Sequence, residues 1–380
     1  MKFNGQVRIR GCLLITSLVL ALTSPTNAAH SSDTPNSLNL LNPSNPSNPL
    51  NTVTLSFGGD VNGEYPISKT LSQGLDPLGD ASAIFKKSDI AAVNLETVVS
   101  TLGTPVEKQF TFAAPYSLLT ALKKGGVSVV NVANNHSFDF GTQAFLDTMQ
   151  NIQEAKLISI GGGANYTSAW APRIFTIRGI KVAFIGVGNV NGGKISVATY
   201  KRPGVTSNWE QKGVLAAIAE AKAITPIVIV MVHWGVEKTH CARNVEKRSA
   251  ALWFKAGATA IIGSHPHYQQ AIVTKNGSTV AYSLGNLTFY VSRGEAGRTG
   301  VLTLQITSGG KVATSTFMPM RIDPLTGAPK LISSSAAAKD LDAITSYGLA
   351  TCVDPTPAAT PAPAPTATSP LPSATVTPSH

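Results

Sequence analysis

Six short polar clusters, each next to an apolar run, carry histidine, carboxylate and amide side chains suited to binding a metal or moving a proton in this 380-residue chain. They read GGD ending at Asp60, NLE ending at Glu96, NNH with Asn135 and His136, HWG opening on His233, GSHPH with His265 and His267, and SLGN ending at Asn286. Of the five internal histidines beyond residue 30, four fall in these clusters and His240 does not. The carboxylates of Asp60 and Glu96, the imidazoles of His233, His265 and His267, and the amide oxygen of Asn135 make a mixed nitrogen and oxygen donor set. Such a set suits Mn, Fe or Zn, whereas an all-oxygen set suits Mg or Ca. Two divalent ions about 3.5–4 Å apart polarise a substrate oxygen and activate water at neutral pH. Glu96 is the candidate to sit between them. His136 is the candidate to protonate a leaving group, with Asp139 fixing its tautomer. Alternation along extended chain would place His265 and His267 on one side, with Pro266 stiffening the segment.

These residues need elements that bring them together. Strand candidates are Val53–Phe57, Ile90–Asn94, Val127–Val132, Val182–Val187, Ile227–Val232 and Thr259–Ile262, and helix candidates lie near 79–87, 115–124, 141–154, 211–223 and 245–256. The alternation argues an α/β architecture with much parallel sheet. In such sheets the carboxyl ends of the strands share one edge, where ligands collect. After residue 268 the segments 271–274, 279–284, 299–307 and 311–320 read as successive strands, and a second, more antiparallel sheet packed on the first is expected. Around the clusters, Asn286 either orients a ligand or stabilises a turn, and Trp234 either shields the pocket or packs in the core. Glu237 is a substrate contact or a solvated charge, and Arg293 and Arg298 are candidates for an anionic substrate.

The ends of the chain differ from its middle. Lys2, Arg8 and Arg10, the apolar stretch Leu13–Leu22 and the small residues at Ala28 and Ala29 read as a secretory signal over residues 1–29. Residues 30–51 form an Asn/Pro/Ser spacer, 52–335 a folded body, 336–353 a C-terminal extension, and 354–380 a Pro/Ala/Thr-rich tail. An extracytoplasmic location follows, where Cys241 and Cys352 can pair or remain as two thiols. The formal charge of +10 falls to +7 without the three basic residues of the signal. This suits an anionic polymer or phosphorylated envelope substrate, the alternative being a mildly basic solvated surface. Without a dense basic run interleaved with aromatics, nucleic acid is not expected as a partner.

The segments GDVNGE, NLETVVS, VANNHSFDFG, VHWGVE, GSHPH and YSLGNLTF, in that order over about residues 52–325, resemble the motifs of the CapA capsule-synthesis proteins. That family is linked to poly-gamma-glutamate and sits in the calcineurin-like metallophosphatase superfamily. The resemblance implies a four-layer α/β/β/α sandwich of the metallophosphatase type holding two ions. By it Asp60 and His267 serve one ion, and Asn135, His233 and His265 the other. Glu96 takes the place of a bridging Asp, and His136 that of the proton-donating histidine. Two positions depart from the pattern: Asn62 stands where Asp-x-His would place a histidine, and Ser137 follows His136, leaving Asp139 as its acid. The implied activity is extracytoplasmic, metal-dependent hydrolysis of a phosphoester-type bond in capsule formation, beside membrane-bound synthase subunits. The alternatives are a non-catalytic accessory protein that binds or exports an anionic polymer, and hydrolysis of a gamma-glutamyl amide.

Overall fold

Val53, Leu55 and Phe57 alternate along the strand Thr52–Val61 and face the space between two sheets. The same period of two recurs in Ile90 and Ala92 of Ile90–Leu95, in Val182 and Phe184 of Ile180–Gly188, and in Ile229 and Met231 of Val228–His233. Side chains of both sheets thus meet in one apolar layer, as the pleat of a strand requires. The computed structural model describes residues 51–188, 196–291 and 293–349.

The first sheet runs, edge to edge, Pro329–Leu331, Val312–Ile322, Arg298–Thr307, Thr52–Val61, Ile90–Leu95, Val129–Asn131 and Ile158–Ile160. Asn286–Thr288 joins it in parallel at the end of Thr52–Val61. The second runs Ile272–Lys275, Ser278–Ala281, Ala260–Ser264, Val228–His233, Ile180–Gly188 and Arg173–Ile177. Helices Ile67–Ser72, Ala81–Phe85, Ser117–Lys124 and Gly141–Glu154 cover the outer face of the first sheet through Ile67, Phe85, Leu119 and Phe145. Gln211–Ile224 and Asn244–Ala256 cover the second through Val214, Ile218 and Trp253. The result is a four-layer α/β/β/α sandwich.

The strands after residue 268 do not form a separate antiparallel sheet, which corrects the expectation from sequence. Ser278–Ala281 lies parallel beside Ala260–Ser264, whereas Arg298–Thr307 and Val312–Ile322 return antiparallel to Thr52–Val61. Both sheets are therefore mixed. Leu302, Leu304 and Ile306 face the layer between the sheets, and Val301 faces the outer helices, so this strand is buried on both sides and must sit inside a sheet.

Beyond these strands, the helix Ser334–Leu349 places Leu341 and Ile344 in the core between the sheets. Its buried Asp340 pairs with Arg321 and stands 3.6 Å from Arg298 Nη1. Arg298 is thereby engaged within the fold. Cys241 is disulfide-bonded; Cys352, like the signal, most of the spacer and the tail read from sequence, lies outside the described residues. Among those residues no helix is long and apolar enough to cross a membrane.

Candidate metal centre

At the carboxyl ends of the strands the apolar rows between the sheets turn polar without changing face. Ile90 and Ala92 are followed by Asn94 and Glu96, Ile229 and Met231 by His233, and Ala260 and Ile262 by Ser264. Register then aligns the polar ends: Asp60 pairs with Asn94, Asn94 with Asn131, and His233 with Ser264. Glycine lets the chains approach. A Cβ on Gly59 would lie 1.8 Å from the Gly285 carbonyl oxygen, which accepts from the Asp60 amide at 3.0 Å.

Asp60, Glu96, His233, His265 and His267, named from sequence, come together at this edge. Glu96, His233 and His265 form one triad of donors and Asp60, Glu96 and His267 another, the donor atoms of each lying within 4.8 Å of one another. Asn135 joins them through Oδ1, 2.8 Å from His233 Nε2. His265 and His267 are not set by extended alternation. Their φ angles are 99° and 56°, so a turn around Pro266 aims the two rings. Left-handed backbone at non-glycine residues costs about 1–3 kcal/mol each and persists where surrounding structure holds it.

The donors fit cations on a further ground. Asp60, Glu96 and His233 have no solvent exposure, and neither oxygen of Glu96 has a hydrogen-bond partner, nor does His265 Nδ1. His233 Nε2 is 3.3 Å from Glu96 Oε1, but it lies closer to Asn135. A buried carboxylate without partners is costly unless a cation meets it. Ser264 Oγ, 3.0 Å from His233 Nδ1, can take that nitrogen's hydrogen and free Nε2 for a metal. Asn62 is also buried with both amide atoms unpartnered.

His136 stands at the rim of this group. Its Nδ1 lies 2.6 Å from Asp139 Oδ2, and its Nε2 lies 3.8 Å from Glu96 Oε1. Asp139 also accepts from the Phe112 amide at 2.8 Å and from Lys108 Nζ at 2.8 Å. With Nδ1–H held by Asp139, a proton on Nε2 is directed at the site. Lys108 reaches the Asn135 carbonyl as well, at 2.8 Å, and ties the Asn-His turn to the loop before Phe112.

Burial works against charge on Glu96, yet the facing His267 and His233 hold its carboxyl well below the usual carboxylate range. Burial and the neighbouring His233 hold His265 well below 6.5. At His267 burial opposes the charge, but Glu96, Asp60 and Asn286 push the imidazole up to about 10. Its Nδ1 is 2.9 Å from Asn286 Oδ1 and 3.5 Å from Asp60 Oδ2. Because this folded value lies above the ordinary 6.5, the stability it contributes to metal-free protein is complete below pH 6.5 and is lost as pH rises towards about 10. A cation binding this ring must displace one of the imidazolium's two protons, so its affinity rises over that window. The Tm difference between Mn-loaded and chelator-treated protein should therefore widen from pH 6.5 to about pH 9. A constant difference, measured by scanning calorimetry, would contradict this.

Several supporting residues were not read from sequence. Asn94 Nδ2 donates to Asp60 Oδ1 at 2.8 Å and lies 3.1 Å from His233 Nδ1, while Asn94 Oδ1 accepts from Asn131 at 3.0 Å. It links donors of both sheets. Asn94→Ala strips partners from buried groups that each cost about 1–3 kcal/mol when unsatisfied. We expect urea unfolding to show a loss of at least about 2 kcal/mol. Asn286 orients His267, its own amide held by the Ala296 carbonyl at 3.0 Å. Trp234 points away from the site, stacking on Trp253 at 5.4 Å and donating to the Tyr282 carbonyl at 2.8 Å, and it belongs to the core under the outer helices. Glu237 and Arg293 are exposed.

Residues 54–291 match the family model described as bacterial capsule synthesis protein PGA_cap. The chain belongs to this family. Within it, the chain is 31% identical over 242 residues to the PGA biosynthesis protein CapA of Bacillus subtilis (strain 168), covering 62% of this chain and 63% of that protein. It is 28% identical over 235 residues to the capsule biosynthesis protein CapA of Bacillus anthracis, covering 60% and 56%. The PGA_cap chain thus spans about three fifths of the length of these curated relatives. Among solved structures it is similar to a 5'-nucleotidase precursor from Thermus thermophilus, with 14% identity, a TM-score of 0.45, and coverage of 78% of this chain and 59% of that one. It is similar also to the NAD nucleotidase of Haemophilus influenzae, at 12% identity, a TM-score of 0.43, and coverage of 78% and 56%.

Proposed function

We propose that this PGA_cap protein is a metal-dependent hydrolase of a phosphoester-type bond, acting outside the cytoplasm in formation of a poly-gamma-glutamate capsule. The observation that carries the chemistry is the pair of buried triads sharing Glu96, whose oxygens have no hydrogen-bond partner. Two divalent ions fit: Asp60 and His267 with Glu96 for one, and His233, His265 and Asn135 with Glu96 for the other, the metals being Mn, Fe or Zn. Bound there, they would supply Lewis acidity for a phosphoryl oxygen and for water. The chain's own residues do the rest. Ser264 orients His233 by accepting from its Nδ1–H, Asn94 fixes Asp60, and Asn286 orients His267. His136 carries the proton for the leaving oxygen on Nε2, and Asp139 holds the ring so that this nitrogen faces the site.

The disulfide at Cys241 supports the extracytoplasmic reading, since such bonds persist in oxidising compartments. The names of the Bacillus relatives support the capsule pathway. An accessory role in binding an anionic polymer is the second reading, favoured by the +7 charge left without the signal and by Asn62 where the resemblance would place a histidine. Hydrolysis of bis(4-nitrophenyl) phosphate separates the two. The wild type should turn over with added Mn and stop with chelator, and His265→Ala should be slower by about 100-fold or more. Equal rates in the two proteins would refute the hydrolase.

A further inference from the structure

Phe112 also lines a pocket of about 370 Å³ whose walls are unlike the metal centre. Tyr65, Phe110, Phe112 and Tyr290 give it aromatic faces, and Glu64 and Gln109 give it polar atoms. Phe112 is shared with the site, its ring stacked on His136 with centroids 4.1 Å apart. Tyr290 stacks on Phe289, whose ring lies 4.9 Å from His267. Tyr65 and Phe110 are 69% and 52% exposed, so their rings are open to a ligand. Glu64 uses one carboxylate oxygen on the Ala113 amide, at 3.1 Å.

These walls select a ligand by its chemistry. Aromatic faces favour flat rings and cations. A carboxylate accepts N–H and O–H donors and repels anions. A volume of this size suits one ring and a short substituent. We propose that the pocket seats the leaving portion of the substrate, and that this portion is an uncharged or cationic ring rather than a run of carboxylates. Calling it the leaving portion rests on the hydrolase reading above, with His136 as proton donor; its chemical class rests on the pocket's own walls.

Titration calorimetry on the full, metal-loaded chain tests this with tyramine, phenol and a γ-linked glutamate trimer as probes. Tyramine and phenol should bind, and the trimer should not displace tyramine. Phe110→Ala, at an exposed position, should weaken both rings about tenfold. Glu64→Gln keeps an acceptor for Ala113, and should weaken tyramine about tenfold while leaving phenol within about twofold. Absence of tyramine binding, unchanged affinity in Phe110→Ala or Glu64→Gln, or displacement by the trimer would overturn the proposal. Tyramine binding without phosphodiester hydrolysis sinks the hydrolase and leaves the ring site standing. Hydrolysis without tyramine binding does the reverse.

Discussion

Glu96→Gln should reduce the metal content of the purified protein from about two equivalents to less than one, and hydrolysis should fall with it. The substitution keeps the side-chain volume and removes the charge, so loss of metal cannot be ascribed to a cavity. Glu96 belongs to both donor triads, whereas His265 belongs to one. His265→Ala should accordingly lose about one equivalent, and Glu96→Gln more than that. Metal analysis after dialysis distinguishes the cases. A full complement in Glu96→Gln would mean that Glu96 is a buried carboxylate with some other purpose, and the shared-ligand arrangement would be wrong.

His136→Gln should show the opposite separation, with metal retained and turnover reduced about 10²–10⁴-fold, the usual contribution of a positioned acid or base. The ring lies outside both triads, and its closest approach to them is Nε2 to Glu96 Oε1 at 3.8 Å. Its Nδ1 is taken by Asp139 at 2.6 Å. A substrate whose leaving group needs no protonation, such as one releasing 4-nitrophenolate, should suffer less from the change than an alkyl ester. If His136→Gln also loses metal, the residue is a ligand and not the proton donor.

The donors were legible in sequence because each ends an apolar run, and the pleat carries that regularity into space. Met231 and His233 share a face, so a histidine closing an apolar strand was bound to emerge at the edge of the inter-sheet layer. Asn94 escaped notice for the same reason: inside AAVNLE it looks like one more strand residue. Its spacing from Ile90 and Ala92 places it on the face of Glu96, and that signal was available. Lys108 gave no such signal, since it sits in an irregular segment whose route past Asp139 depends on tertiary packing.

Strand identity was likewise easier to read than strand partnership. The hairpins Ile272–Ala281 and Arg298–Ile322 are signalled by turns and alternation, but both carry apolar residues suited to either sheet. Which edge each fills depends on the layers already assembled, and pairing of Thr307 with Thr52 spans nearly the whole body. The His265–Pro266–His267 turn is a further case. A His-x-His spacing suits extended chain, but the left-handed φ angles at both histidines follow from what the surroundings impose.

Asp60 and Glu96 extend from one sheet, while His233, His265 and His267 extend from the other or from the turn that follows it. An ion held by both groups would act as a rivet through two leaves otherwise joined by greasy contact and a few polar links, Asn94 to His233 among them. Occupancy and mechanical cohesion of the sandwich would then be one property, and a cell short of the right metal would hold a looser protein.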